Sequence, residues 1–333
     1  MYKIFIRKRD INDATAHYVD IITNALKKLG YDCEYVYSTK NISKEDKVLV
    51  ITLPGFVLAW LHNPKQDISM WFQGIVPEEC CMSFTGFKKV WKFWMNRVLD
   101  FFTVHMSKRI LFVSKTMYEH YKSVYGYNGK NYMVMPCFNQ KLEKDAFKDE
   151  KYKSPTFVYA GSLAKWQCID ETMELFKKIK SLLPNATLTL LTGEKENAYS
   201  KIKEHSLSDV NVKYIPYKEL NNELSLYKYG FLIREDVKVN NVATPTKMNS
   251  YMACGLIPVY SNVIGDFKEE FAALKYKVEV GDEESALKQI VNLERNEILA
   301  NAVYEEYKHI FDTYYSEDYY IDSIVELFSK ENF

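Results

Sequence analysis

Residues 229–262 read YGFLIREDVKVNNVATPTKMNSYMACGLIPVYSN, and this stretch decides the fold. It opens with a short apolar run, 230–233, of strand length. A polar segment follows, from Arg234, Glu235 and Asp236 to Asn241. Thr244-Pro245-Thr246-Lys247 then predicts a helix start, with a threonine cap and proline at the first helical position. Met248, Met252 and Ala253 give that helix an apolar face, and Gly255 ends it. Residues 256–260 form the next buried strand. The pattern is strand, loop, helix, strand, with charge at the strand exit and at the helix N-terminus. In open α/β sheets that edge binds ligands. A helix N-terminus beside a hydroxyl and a lysine suits a phosphate.

The same alternation runs outward through the chain. In the second half, 156–160 is a strand, 169–183 a helix, 187–192 a strand closed by Gly193, and 210–215 a further strand. In the first half, strands are expected at 2–6, 33–37, 48–52, 68–72, 110–113 and 132–135. Helices are expected at 14–29, 87–104 and 117–125, and three more at 283–293, 295–310 and 316–329. Strands alternating with helices predict mostly parallel sheets. Residues 141–155, KLEKDAFKDEKYKSP, are charged and aperiodic and read as a linker. The expected organisation is a domain over 1–140, the linker 141–155, a second domain over 156–315, and a C-terminal helix over 316–333 that packs back on the first.

Composition narrows the function classes. A chain of 333 residues with 47% hydrophobic residues can fill two cores. Its 26 tyrosines favour a globular protein with much half-polar burial over disorder. The formal net charge is zero, so no nucleic-acid partner is expected. Basic residues outnumber acidic ones in the first 150 positions, and the reverse holds after them. The six cysteines form no CxxC pair and no cluster with histidine, so neither disulfides nor a metal site is expected. The N-terminal apolar run is too short for a signal sequence, and no 18-residue apolar window predicts a membrane span.

Gly161-Ser162-Leu163-Ala164-Lys165-Trp166-Gln167 follows the first strand of the second half. Glycine permits close backbone approach, Ser162 offers a hydroxyl, and Lys165 can reach an anion. An ordinary strand-to-helix turn is the alternative reading. The loop should lie at the same sheet edge as Thr246 and Lys247.

The runs FVYAGSLAKWQ, LTLLTGE and FLIREDVKVNNVATPTKMNSYMACGLIPV resemble the nucleotide-sugar domain of family-four glycosyltransferases, in their bacterial polysaccharide-assembly branch. WFQGIVPEE, ILFVSKTMYEHY and MPCFN in the first half are similar to that branch too. The resemblance covers most of the chain. It implies a GT-B fold, with two Rossmann-like domains whose parallel sheets face across a cleft. It implies sugar transfer from a nucleoside diphosphate donor with retention of configuration, without a metal or other cofactor.

The family's diphosphate loop maps onto Gly161, Ser162 and Lys165, with Ser162 where many members have arginine. The family's helix N-terminus near the β-phosphate maps onto residues 244–247, which include Pro245, Thr246 and Lys247. Many members carry two glutamates, for the donor sugar and the ribose. Val242 and Ser250 fill those slots here, so Glu235 and Asp236 become the candidates for the sugar side. The base is expected near Gly193 and Ile215. A departing nucleoside diphosphate gains negative charge, which lysine, arginine and helix N–H groups must stabilise. Lys247 and Lys165 are the first choices, and Arg234 the third. Arg234 could instead pair with Glu235 or Asp236.

The first half is expected to bind the acceptor. Asp13, Ala14, Thr15, Ala16 and His17 follow the first strand. His17 is a candidate catalytic group, with a structural histidine as the alternative. Gln73 and Gly74 precede Glu78 and Glu79, and a carboxylate there could deprotonate an acceptor hydroxyl. Residues 87–109, FKKVWKFWMNRVLDFFTVHMSKR, mix aromatic and basic side chains. They suit a helix lying in a lipid headgroup layer. They equally suit a core helix whose lysines are its solvent face.

These readings converge on a hexosyltransferase that moves a sugar from a nucleotide sugar to a glycan or lipid-linked acceptor in surface polysaccharide synthesis. It would act in the cytoplasm, with peripheral contact on the inner membrane face through 87–109. The alternatives are a GT-B accessory subunit that has lost catalysis, which the missing glutamates favour, and a nucleotide-sugar epimerase.

Overall fold

The computed structural model describes residues 1–7, 10 and 13–330, with the side chains of Asp13 and Ala14 outside the description. Those two acceptor-side candidates therefore receive no structural account. The chain divides into two compact units. The first comprises residues 1–138, 241–244 and 316–333; the second comprises 139–240 and 245–315.

The first unit holds strands β1 Tyr2–Phe5, β2 Cys33–Val36, β3 Lys47–Val50, β4 Asp67–Phe72, β5 Arg109–Phe112 and β6 Tyr132–Val134. Its helices are α1 Asp13–Lys28, α2 Leu53–His62, α3 Val76–Ser83, α4 Gly86–Met106 and α5 Lys115–Tyr125. The sheet is parallel throughout, in the order β2-β1-β3-β4-β5-β6. Its central strands are buried along their length, as expected where helices cover both faces. The strand expected over 48–52 is followed at once by α2, which starts here because Thr52 Oγ1 accepts from Gly55 N at 3.2 Å and Pro54 is tolerated in the first turn.

The second unit repeats the design. Its strands are β7 Thr156–Ala160, β8 Thr187–Leu191, β9 Val210–Lys213, β10 Tyr229–Leu232, β11 Ile257–Ser261 and β12 Val278–Val280. The order is β12-β11-β10-β7-β8-β9, again all parallel. Its helices run α6 Ile169–Leu182, α7 Lys195–Glu204, α8 Leu220–Leu224, α9 Lys238–Asn241, α10 Thr246–Ala253, α11 Gly265–Glu270, α12 Glu283–Arg295 and α13 Ala300–Thr313, α9 ending at the unit boundary. The last helix, α14 Glu317–Ser329, belongs to the first unit.

Gly230 sits inside β10 for a packing reason. A Cβ there would come within 2.6 Å of the Tyr251 ring carried by α10. The missing side chain lets α10 lie close against the sheet, and Tyr251 then reaches Phe231 O with its hydroxyl at 3.2 Å. Residues 139–155 belong to the second unit and are pinned beside the end of α10. Lys151 Nζ donates to Cys254 O at 2.7 Å, and Tyr152 OH to Gly255 O at 2.7 Å. Burial lowers the Lys151 pKa to about 7.

Strand order reverses between β7 and β10 in one sheet and between β1 and β3 in the other. These are the points where parallel sheets open a crevice at the carboxyl ends of their strands.

Candidate active site

In the second unit, β7 and β10 deliver Gly161 and Arg234 to one switch point. Gly161 has φ +143, and a Cβ on it would lie 2.8 Å from Lys247 Nζ. The glycine thus leaves room for the lysine's ammonium against the loop backbone. Lys247, in the first turn of α10, reaches back to donate to Tyr159 OH at 3.1 Å and to Gln167 Oε1 at 2.6 Å. Its ammonium also sits 4.2 Å from the Tyr159 ring centroid. Arg234 Nη2 donates to the same Gln167 Oε1 at 2.9 Å, and its Nη1 to Ile233 O at 2.9 Å.

Arg234 is buried and Lys247 half-buried beside it, and all of their hydrogen-bond partners are neutral. Arg234 bonds carbonyl and carboxamide oxygens; the alternative of an ion pair with Glu235 is not what the geometry shows. Burial first, then the Arg234 guanidinium, hold the Lys247 pKa well below the ordinary lysine value. Burial also lowers that of Arg234. Uncompensated buried charge is costly, and an anion relieves it. Chemically this arrangement suits an anion, and a carboxamide oxygen accepts from both cations.

The other donor-side residues are placed as follows. Ser162 is exposed and its carbonyl accepts from Tyr159 OH at 2.5 Å. Lys165 opens a short 3-10 turn and is exposed. Gly193 is exposed after β8, with the Tyr214 ring 3.8 Å from its Cβ position, and Ile215 follows β9. Both lie at the carboxyl edge of the sheet. Pro245, not Thr244, precedes the first residue of α10, and no side chain caps that helix. Thr244 Oγ1 is engaged within the first unit instead, accepting from Cys137 N at 3.0 Å. Thr246 begins α10, and Ser250 Oγ turns back to the Thr246 carbonyl at 3.2 Å.

Glu235 and Asp236 are exposed just past β10. The Glu235 carboxylate, the Glu171 carboxylate and Cys168 Sγ bring one atom each within 4.8 Å of one another. Burial raises the Cys168 pKa, so the thiol stays protonated, and a neutral thiol with two exposed acids is a poor ligand set for a transition metal.

In the first unit, the switch point opens on a cavity of about 490 Å³. Arg7, Thr52, Gln73, Glu79 and Asn96 supply its polar groups, over a floor that includes Met70 and Phe72. A polar rim over an apolar floor is the usual make-up of a small-molecule site. Gln73 Nε2 donates to Ile51 O at 2.8 Å. Glu78, the expected acceptor-side acid, is occupied elsewhere: its Oε1 receives Arg97 Nη1 at 2.8 Å and lies 3.6 Å from His120 Nε2. Its neighbour Glu79 lines the cavity instead, and burial followed by the charge of Glu78 raises the Glu79 pKa. Thr15 is buried in α1, and His17 is half-buried with its ring edge-on to Phe138 at 5.8 Å.

Sequence reasoning thus named Gly161, Arg234 and Lys247, which the structure brings together, and named Glu79 only beside Glu78, but gave no role to Gln167 or Tyr159. Gln167 lay inside the quoted loop, and no local pattern marks a glutamine as the partner of a residue eighty positions away.

No family model matches the chain, and no curated protein matches its sequence. Solved structures do match. The chain is similar to sucrose-phosphate synthase from Thermosynechococcus elongatus, with a TM-score of 0.72 at 10% identity, over 99% of this chain and 98% of that one. It is similar to HepE of Anabaena, solved in complex with UDP and glucose, with a TM-score of 0.68 at 11% identity over 99% of both chains. A glycosyltransferase from Rickettsia africae gives 0.66 at 11% identity, again over 99% of both. At these identities the likeness is one of fold: two Rossmann-like units with six-stranded parallel sheets, the GT-B fold.

Proposed function

We propose that this protein is a glycosyltransferase that takes a sugar from a nucleoside diphosphate donor. One observation carries the reading: buried Arg234 and half-buried Lys247 lie together at the switch point of the second sheet with only neutral partners. A diphosphate supplies the negative charge they lack. HepE, which shares the fold, was solved with UDP and glucose bound, and that supports a uridine donor.

In this reading the two cations hold the diphosphate and stabilise the charge it gains as the sugar leaves. Gly161 lets the backbone approach it, Thr246 and Pro245 place the first turn of α10 beside it, and Ser162 and Lys165 contribute from the loop rim. Gly193 and Ile215 flank the base, and Ser250 lies on the ribose side. Glu235 and Asp236 face the sugar. The cavity of the first unit takes the acceptor, a glycan or a lipid-linked sugar of surface polysaccharide synthesis, with Gln73 on its rim and Thr15 and His17 on the neighbouring α1. Transfer with retention, and without a metal, follows from the family resemblance.

Thermal denaturation with UDP and with GDP tests this. A nucleotide at about 100 times its Kd should stabilise the fold by roughly 2.7 kcal/mol. Lys247→Ala and Arg234→Ala should each abolish that rise while leaving the unliganded protein folded. No rise with either nucleotide, or a rise unchanged in both variants, overturns the assignment. A rise without hydrolysis or transfer from any nucleotide sugar in a panel would instead mark an accessory subunit.

A further inference from the structure

The proposed reaction leaves α4 unused. Its inner side is well packed: Asp100, Thr103 and Val104 are buried, and the Phe102 ring stacks edge-on against Trp60 at 4.8 Å. Its outer side is not. Phe87 is 84% exposed, Val98 65%, Trp94 61%, and Val90, Trp91 and Phe101 each between 52% and 53%. These six positions recur at intervals of three and four, so they form one stripe along the helix. The stripe extends for about 21 Å at the helical rise of 1.5 Å per residue. The core-helix reading made the lysines the solvent face; the aromatic residues share that face with them. Neighbouring α2, which bears no Lys, Arg, Asp or Glu, adds exposed Leu58 and Leu61.

Charge decides what this face fits. Lys88, Lys89 and Lys92 lie on the first turns of α4, and Lys108 follows its end. Lys88 and Lys92 are held over the Phe84 ring at 4.9 and 5.0 Å. The one acid of α4, Asp100, is buried on the inner side. The outer surface of the helix is thus apolar and cationic, with no negative group. A protein partner of mixed charge would not call for that pattern, whereas an anionic lipid surface does: tryptophans sit at headgroup level and lysines meet lipid phosphates. No helix among the described residues is long and apolar enough to cross a membrane, so the contact is in-plane.

We infer that the outward stripe of α4 docks the protein on an anionic lipid bilayer, with Phe87, Trp91 and Trp94 in the headgroup layer and Lys88, Lys89 and Lys92 on the lipid phosphates. The inference does not depend on the donor-site assignment. A lipid-linked acceptor would gain from it, since docking brings the first unit to the surface where such an acceptor resides.

Flotation with phosphatidylglycerol–phosphatidylcholine vesicles, against pure phosphatidylcholine vesicles, tests it. The wild-type protein should float with the anionic vesicles, less so at high salt, and its tryptophan emission should shift to the blue. Reversing Lys88, Lys89 and Lys92 to glutamate should weaken binding roughly 100-fold or more. Trp91→Ser with Trp94→Ser should weaken it and remove the blue shift. Trp91, Trp94 and Lys88 are exposed, and Lys89 and Lys92 are half-buried; unaltered circular dichroism and an unaltered response to UDP check that both variants fold. No binding to anionic vesicles, or binding unchanged in both variants, overturns the proposal. So does a concentration-dependent dimer that the tryptophan variant dissociates, because a second copy would then be what covers the stripe.

Discussion

Gln167 places its side-chain oxygen 2.6 Å from Lys247 Nζ, and the same oxygen serves Arg234 at 2.9 Å. One neutral atom therefore serves two cations, one buried and one half-buried, at the point where two strands of the second sheet part. In the proposed complex a phosphate oxygen takes its place, so the nucleotide has to displace it.

Removing the carboxamide should therefore help the ligand. Hydrogen bonds to charged groups contribute about 1.5–3 kcal/mol, of which water recovers a part, so Gln167→Ala should bind UDP about fivefold to tenfold more tightly. Gln167→Glu should do the opposite, weakening UDP by more than tenfold while raising the melting temperature of the free protein. Isothermal titration calorimetry reads both. Weaker binding by the alanine variant would show that Gln167 holds the ligand and does not stand in for it.

Proton uptake provides a second check. Burial and the nearby guanidinium depress the Lys247 pKa in the free protein. A bound anion favours the ammonium and raises that pKa again. Between the depressed and the restored value, each UDP bound takes up a proton. Affinity is then highest at the acid end and falls as pH rises through the depressed pKa. Calorimetry in buffers of different ionisation enthalpy, over a pH series from neutral upward, should show the uptake. Lys247→Arg, charged throughout, should bind without it. Proton-neutral binding by the wild-type protein across the series would contradict the geometry.

Asp100 should make the fold acid-tolerant and base-sensitive. Its pKa is raised to about 8, by burial first, against the opposing Tyr121 and Tyr125 hydroxyls and with help from the charges of Glu78 and Glu79. Tyr125 OH bonds its Oδ2 at 3.2 Å, while Oδ1 has no partner. The folded chain keeps a proton that the unfolded chain releases above about pH 4. The sign follows: this stability is full below pH 4 and lost as pH climbs from 4 toward 8. Asp100→Asn should match the wild-type protein at pH 4 and exceed it by roughly 2–4 kcal/mol at pH 8 in urea titrations. A constant difference between the two proteins at all pH values would refute the account.

Much of the fold was legible because its signals are local. Buried parallel strands read as short apolar runs, and Gly193 and Gly255 punctuate the pattern. β12, with three residues, was too short to announce itself, and Pro54 marked a helix start as well as a strand end. The site was legible only in part. Gly161 and Lys247 follow from strand-exit and helix-start chemistry, and Arg234 from its position. Thr244 was expected to cap α10, yet its hydroxyl is used by Cys137 and the helix starts without a side-chain cap. Glu78 and Glu79 were indistinguishable in sequence. Only packing shows that Arg97 claims the first and leaves the second facing the cavity. Which face of α4 is solvated could not be read either, because a stripe of aromatics has the same period whether it meets a core or a membrane.

The division of the chain also sets an order of assembly during synthesis. α14 lies along α1, with Lys28 reaching Asp322 at 2.6 Å, and Phe328 rests between Tyr2 and the Arg109 guanidinium. The first unit therefore takes its outer layer from residues 316–330, made after the whole of the second unit. On the ribosome, the part translated first is the part finished last. Until α14 emerges, β1 and α1 keep an apolar flank uncovered, and the second unit has to fold alongside a neighbour that is still open.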